Sequence, residues 1–431
     1  MTFPKSHKDP DDNATGLLRR PQPPPAQPSS GGFWNHLRRL GPGMVTGTAN
    51  VDPSLVVTAT VVGAAFGYSL LWVVVLCVPF LLAVFQVSAR LGFETRKGLV
   101  DLVREHYGRG LALGCALLVV VINMAMIIAD VLAVSDALSI ILNQRRVFFA
   151  AAVSFSVWYI LIFRDYRKIT NVLLWLSLPL YVYVASAIME APSPGTVLLG
   201  TIIPRVQQSP AYAASIVALF GSLLTPYILV WQTSSRGEHA AIGGERPHSF
   251  ESHAGTVVSV LLSYCVMVSA AAVLKLPAPI DMTTRQAADA LGPAVGALGP
   301  VLFAIGIIGA GMVALPVLCA SLCYSVSEAM GWKTGLSEHP WDAPPFYVLI
   351  SLSMFIAAVA NFFRINPVKA LYLSQLLAGV LTIPILIFIL LLANNRRVVK
   401  TGNTLSQNFW VGAACGALLA SGLLWLWTIF R

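Results

Sequence analysis

The sequence predicts an all-α, polytopic membrane protein built from two inverted units of five spans, with an eleventh span added. Three observations predict it. The chain of 431 residues is 56% hydrophobic and only 11% charged, against about 25% charged in a soluble domain. Eleven apolar runs follow one another, near 44–66, 70–90, 112–138, 147–163, 169–189, 212–234, 254–274, 298–326, 345–361, 367–393 and 409–430. Most are long enough to cross a hydrocarbon layer of roughly 30 Å. The third observation is that the first and sixth runs are each interrupted by proline.

The first run contains Gly47-Thr48-Ala49-Asn50-Val51-Asp52-Pro53-Ser54. Pro53 removes a backbone donor and clashes with the preceding turn, so the helix breaks there. Irregular backbone in lipid is tolerated only where it faces protein or a wet cavity. A carboxylate at such a break marks an ion or substrate site. The sixth run carries Gly221-Ser222-Leu223-Leu224-Thr225-Pro226-Tyr227, with small residues, a hydroxyl and a proline in the same order. The first run opens one five-span unit (approximately 44–190) and the sixth opens the next (approximately 212–393). An odd number of spans per unit gives the units opposite orientations. Breaks at matching places in inverted units point to a transporter's central site. The run at 409–430 falls outside the repeat.

Ahead of these runs, residues 1–35 are polar and include Pro21-Gln22-Pro23-Pro24-Pro25. They lack the apolar core of a signal peptide and read as a disordered arm. The remainder, 36–430, is the transmembrane domain. With the amino terminus placed in the cytoplasm, 20 of the 28 Lys and Arg residues fall on the inner side. The positive-inside rule therefore predicts a cytoplasmic amino terminus and, after eleven spans, an outer carboxyl terminus. The expected location is a plasma membrane or bacterial inner membrane, with the lipid bilayer as a partner. The net charge of +9 is spread between apolar runs and at the termini, which argues against nucleic acid. All six cysteines lie in apolar runs and read as small packing residues.

Asp52 and Asp130 are the two acids deep in the spans, and no Lys or Arg shares their depth. Such acids attract a cation or hold a proton. Asp52 is the expected direct ligand. Freed carbonyls of Ala49 and Ser222, and the Thr225 hydroxyl, can add oxygens; the ordinary alternative for Thr225 is a bond back to its own helix. Oxygen-only surroundings suit hard ions. Gln375 in the tenth run is a further candidate ligand or gate, or a plain interhelical bond. Asn123 and Asp130 are seven apart and share a helix face, a proton or water path or a polar packing seam. Tyr227 and Gln232 follow the second break and are assigned to an inner vestibule. No metalloprotease, Walker or serine-elbow motif is present, and the seven histidines fall outside the apolar runs. An enzyme is not expected.

Several segments resemble the natural resistance-associated macrophage protein (NRAMP) family of divalent-metal transporters. They are Leu40-Gly41-Pro42-Gly43, Asp52-Pro53-Ser54, Gly63-Ala64-Ala65-Phe66-Gly67-Tyr68, Ser88-Ala89-Arg90-Leu91-Gly92, Ala129-Asp130 and Leu373-Ser374-Gln375. The resemblance covers roughly 36–430 and implies a LeuT-type 5+5 inverted-repeat fold, with the metal as cargo and no cofactor. The family's first break usually reads Asp-Pro-Gly-Asn; here Ser54 replaces the glycine and Leu55 the metal-binding asparagine. Its second break usually reads Met-Pro-His; here Thr225 replaces the methionine ligand and Tyr227 the histidine. A second family histidine falls at Gln232. Asp130 matches an aspartate on the family's proton route, but the acid one turn later is Ala133 here. Without the thioether the site is harder, and the pattern resembles the NRAMP-related magnesium branch. The expectation is import of a divalent cation, Mg²⁺ or another hard ion, with weak or no proton coupling. The competing expectations are a proton-coupled Mn²⁺/Fe²⁺ importer, an amino-acid or other small-molecule transporter on the same fold, and a metal sensor that moves nothing.

Overall fold

The computed structural model describes residues 51–163, 173, 175–190, 194–241, 249–274, 279–336 and 338–430, with the side chains of 239–241 and 249–254 excepted. The proline-rich arm and the opening of the first apolar run (44–50), Ala49 included, lie outside the described residues.

The described residues form helices and connecting turns. We label the helices used below α1 (Pro53–Phe66), α2 (Leu71–Thr95), α3 (Leu99–Tyr107), α4 (Arg109–Leu142), α5 (Val147–Phe163), α6 (Val182–Glu190), α7 (Pro210–Leu223), α8 (Pro226–Ala241), α9 (Ser249–Val273), α10 (Gly299–Met330), α11 (Pro344–Ala360), α12 (Pro367–Asn394) and α13 (Leu405–Phe430). Among the described residues, 8 stretches are long and apolar enough to span a membrane. One of them, Pro53–Thr95, holds the first and second predicted runs, and the shorter apolar helices Val147–Phe163 and Trp175–Glu190 correspond to the fourth and fifth. The eleven predicted runs thus all have helical counterparts.

Proline repeatedly starts these helices. Pro53, Pro210, Pro226, Pro344 and Pro367 each occupy the first helical position, where a missing N–H costs nothing and a fixed φ favours the helix. Caps reinforce three of these starts. Asp52 accepts from the Leu55 amide at 2.7 Å, Ser209 from Tyr212 at 3.2 Å, and Asn366 from Val368 at 2.9 Å. The sixth run is therefore two helices. α7 ends at Leu223, α8 begins at Pro226, and Leu224 and Thr225 lie between them unwound.

The broken span is the most enclosed in the bundle. In Pro210–Glu238, 94% of the apolar window is buried, against 28% in Leu405–Phe430. α13 is thus peripheral, exposing Phe409, Leu423 and Phe430 as a lipid-facing side chain row does. The largest helix interface joins α4 and α10, the third spans of the two units. They run antiparallel, with Val134 beside Gly311 and the Asn123 amide donating to the Leu318 carbonyl at 3.2 Å. α1 packs on α9, α2 on α8, and α7 on α12. The α7–α12 contact is backbone to backbone. A Cβ on Gly221 would fall on the Gln375 carbonyl, and one on Gly379 on the Val217 carbonyl.

Candidate ion site at the helix breaks

Asp52 is fully buried at the amino end of α1. As N-cap, its Oδ1 accepts the Leu55 amide, while Oδ2 accepts the Tyr227 hydroxyl at 3.2 Å. That second bond joins the start of α1 directly to the break between α7 and α8, because Tyr227 is the second residue of α8. The sequence reading assigned Tyr227 to a vestibule with Gln232; the structure seats its hydroxyl on Asp52. Gln232, one and a half turns along α8, is buried with its Oε1 lacking a hydrogen-bond partner.

On the other side of α1, the Ser54 hydroxyl donates to Asp130 Oδ1 at 3.1 Å, and Asp130 Oδ2 has no hydrogen-bond partner. The two buried acids therefore flank one helical turn, Asp52 capping it and Asp130 reached through Ser54. A helix start supplies unsatisfied amides and a positive dipole end, which favours a carboxylate there. Its charge lies in a region without a described basic side chain bonded to either acid.

At the second break a backbone carbonyl loses its helical donor. In a continuous helix the Ser222 carbonyl would accept from the residue four later, but that residue is Pro226, which has no N–H. The Ser222 hydroxyl is turned back to the Leu219 carbonyl at 2.9 Å, leaving the carbonyl as this residue's contribution. Thr225 is buried in the unwound link. Gln375, buried on α12 beside Gly221, has neither its amide nitrogen nor its oxygen hydrogen-bonded. An unsatisfied buried amide costs on the order of 1–3 kcal/mol, so an empty, fully apolar role does not account for it. Asn123 spends its nitrogen on α10 and leaves Oδ1 unbonded.

Among the described residues, no three His, Cys, Asp or Glu side chains gather into a metal cluster. The donors near the breaks are instead one carboxylate, carbonyl oxygens and hydroxyls, a set suited to hard cations. Two participants were not legible as such in the sequence, namely Ser54 as the tie to Asp130 and the Tyr227 hydroxyl as the partner of Asp52.

A third buried carboxylate lies at one end of the bundle. Glu328, near the end of α10, accepts the Ser234 hydroxyl at 2.6 Å and the Val100 and Asp101 amides at 3.0 and 3.3 Å. It thus caps α3 from another helix. Gly98 makes room, since a Cβ there would overlap the carboxylate. A cavity of about 370 Å³ adjoins it, lined in part by Arg96, Lys97, Arg104, Glu238 and Trp332. Partial burial holds the Asp101 carboxyl above its usual range, opposed by the Arg104 guanidinium 2.5 Å away.

The fold and this break geometry define a membrane transporter of the LeuT-type architecture. The family model for natural resistance-associated macrophage protein-like proteins matches residues 43–428, and the chain belongs to that family. Its members are divalent-metal transporters rather than enzymes, and carry the metal as substrate. Among solved structures, a manganese transporter of Eremococcus coleocola is similar at 16% identity, with 94% of this chain and 96% of that one covered and a TM-score of 0.68. MhsT in complex with L-phenylalanine aligns over 89% of this chain and 98% of its own, at 12% identity and a TM-score of 0.54. Mhp1, a nucleobase-cation-symport-1 family transporter, aligns over 90% and 92% at 13% identity and a TM-score of 0.50. At these identities the likeness is one of fold.

Proposed function

We propose that the protein imports a hard divalent cation, Mg²⁺ before Mn²⁺, by alternating access, with weak or no proton coupling. The observation that carries this reading is the donor set at the breaks. Asp52 supplies charge, Ser222 a carbonyl without its helical donor, and Thr225 a hydroxyl, while Leu55 and Thr225 stand where the family has an amide and a thioether. Mg²⁺ sheds water reluctantly and usually keeps several waters in its shell. A site of sparse oxygens suits a partly hydrated ion better than one that must be stripped. Gln375 approaches the ion in some states of the cycle, and the Ala49 carbonyl adds a further oxygen in this reading.

The driving force needs no proton. Roughly 2.3 kcal/mol per charge is available at 100 mV, and a divalent ion gains twice that. The placement of Lys and Arg supports an inward amino terminus, and across a membrane negative inside, entry of a cation follows the electrical gradient. Asp130 and Asn123 then serve as a polar seam or water path beside α10. The rival reading is a proton-coupled manganese importer, and its ion is the one named for the similar Eremococcus coleocola transporter.

A flux panel over Mg²⁺, Mn²⁺ and Ca²⁺ in proteoliposomes, with a pH dye inside, separates the two. The reading predicts saturable Mg²⁺ entry, Mn²⁺ entry suppressed by millimolar Mg²⁺, and no internal acidification. Micromolar Mn²⁺ uptake undisturbed by millimolar Mg²⁺, with acidification, would replace it by the rival.

A further inference from the structure

We propose that the plane between α8 and α10 is the inner gate of the transport path. Two hydroxyl-to-carboxylate bonds, from Ser234 to Glu328 and from Tyr324 to Glu238, hold it shut. The proposal rests on the breaks as the ion site and on the cytoplasmic placement of this end of the bundle.

The two bonds form a reciprocal pair. Ser234 and Glu238 lie one turn apart on α8, and Tyr324 and Glu328 one turn apart on α10. The Ser234 hydroxyl donates to Glu328 Oε1 at 2.6 Å, and the Tyr324 hydroxyl donates to Glu238 Oε2. Each helix thus gives one donor and one acceptor, in opposite order along the chain. The Glu328 oxygens divide their tasks. Oε2 takes both α3 amides, so α3 stays with α10 whatever α8 does, and only Oε1 reaches α8.

α8 meets α2 in another way. A Cβ on Gly92 would lie 2.0 Å from the Thr233 carbonyl oxygen, and one on Gly237 2.9 Å from the Lys97 amide nitrogen. Backbones packed that closely leave no slack, so α2 and α8 move as one body. The bonds from α8 to α10 run between side chains and can part without that repacking. α8 is also a half-helix, and its other end is the unwound Leu224–Thr225 link, a hinge at the ion site. The Lys97–Glu105 ion pair ties the end of α2 to α3, but both side chains are exposed and such pairs hold little.

Polar features continue on both sides of this plane. Towards the end of the bundle lies the cavity of about 370 Å³, with Ser234, Glu238, Tyr324 and Glu328 all in its lining. Deeper on the same face of α10, Ser321 is fully buried and its hydroxyl has no partner. One turn further, Asn123 holds the Leu318 carbonyl and leaves its own Oδ1 unbonded. Buried polar atoms without partners are costly in a dry core. Water entering from the cavity answers them once α8 parts from α10, and they mark the route from the breaks to the cavity. Parting also frees Glu328 Oε1 towards the leaving cation.

The test uses Ser321→Cys in the full chain as a reporter behind the gate. Membrane vesicles of each orientation are treated with a membrane-impermeant maleimide, and labelling is read at the peptide holding position 321, so the native cysteines do not count. Losing a hydrogen bond to a charged group shifts the closed-to-open balance about tenfold. Adding Ser234→Ala is therefore expected to speed labelling about tenfold from the cytoplasmic face, with no change from the outer face. An unchanged rate, or a rise from both faces as general loosening gives, would overturn the proposal. Where Ser234→Ala does not yield folded protein, Tyr324→Phe removes the other bond and is judged by the same rates. Asp52→Ala flux is measured alongside. Full flux there defeats the site reading, while the labelling, which needs no ion, still decides the gate. Abolished flux there with unmoved labelling defeats the gate alone.

Discussion

Two buried carboxylate sites in this molecule are treated in opposite ways. Glu328 has every oxygen answered, by Ser234, Val100 and Asp101, and it joins three helices. Beside the breaks, Asp52 is likewise bonded at both oxygens, but Asp130 keeps one oxygen unbonded and Gln375 both of its polar atoms. Burying a polar group without a partner is costly, so a fold that satisfies one carboxylate completely has no physical need to leave another half satisfied. We read the difference as separating a group that holds the bundle together from Asp130 and Gln375, whose polar atoms stay open near the bonded Asp52. In the first region a loss of the side chain is a loss of structure. In the second it is expected to be a loss of transport.

That contrast can be broken by mutation. Glu328→Ala leaves two amides and a hydroxyl without their acceptor, and is expected to cost about 3 kcal/mol or more in unfolding of the detergent-solubilised protein. Its Mg²⁺/Mn²⁺ KM ratio is expected to stay as in the parent. A stable Glu328→Ala protein with altered selectivity would erase the distinction. Ser54→Ala removes the bond to Asp130 and is expected to cost about 1.5 kcal/mol, because a second oxygen of a buried acid is then unsatisfied. Gln375→Leu sharpens the comparison most, although its stability effect is the smallest. Removing an unsatisfied amide is expected to leave stability unchanged or raise it by about 1 kcal/mol. Flux is expected to fall about tenfold for one lost oxygen. A Gln375→Leu protein that is destabilised while transporting normally would show that the glutamine is structural after all.

The sequence already contained much of this architecture. Proline inside an apolar run does not always break it, since Pro79, Pro316 and Pro384 sit within continuous helices; Pro226 does mark the break between α7 and α8 and explains why the Ser222 carbonyl has no helical donor, and Pro53 marks the start of α1. Asp52 and Asp130 stood out because acids are rare at that depth. What could not be read were the partners across helices. Periodicity tells which face of its own helix a residue occupies, not which neighbour it meets, and Tyr227 lies 175 positions from Asp52. Ser54 was visible as a replacement for glycine, but its bond to Asp130 spans 76 positions. Glu328 lies two residues past the predicted run at 298–326, where the sequence alone does not separate a span terminus from a buried cap. Only the packing of α3 against α10, with Gly98 leaving room, makes it a buried cap.

The central claim is that Asp52, held at the start of α1, is the charge that a divalent ion meets. The most direct measurement is Mg²⁺ and Mn²⁺ flux into proteoliposomes carrying Asp52→Ala, with Glu328→Gln as the comparison and folding checked by thermal unfolding. The account predicts folded Asp52→Ala protein with flux of both ions reduced to the level of empty liposomes, and Glu328→Gln protein that still transports. Folded Asp52→Ala protein moving either ion at the parent rate would contradict it.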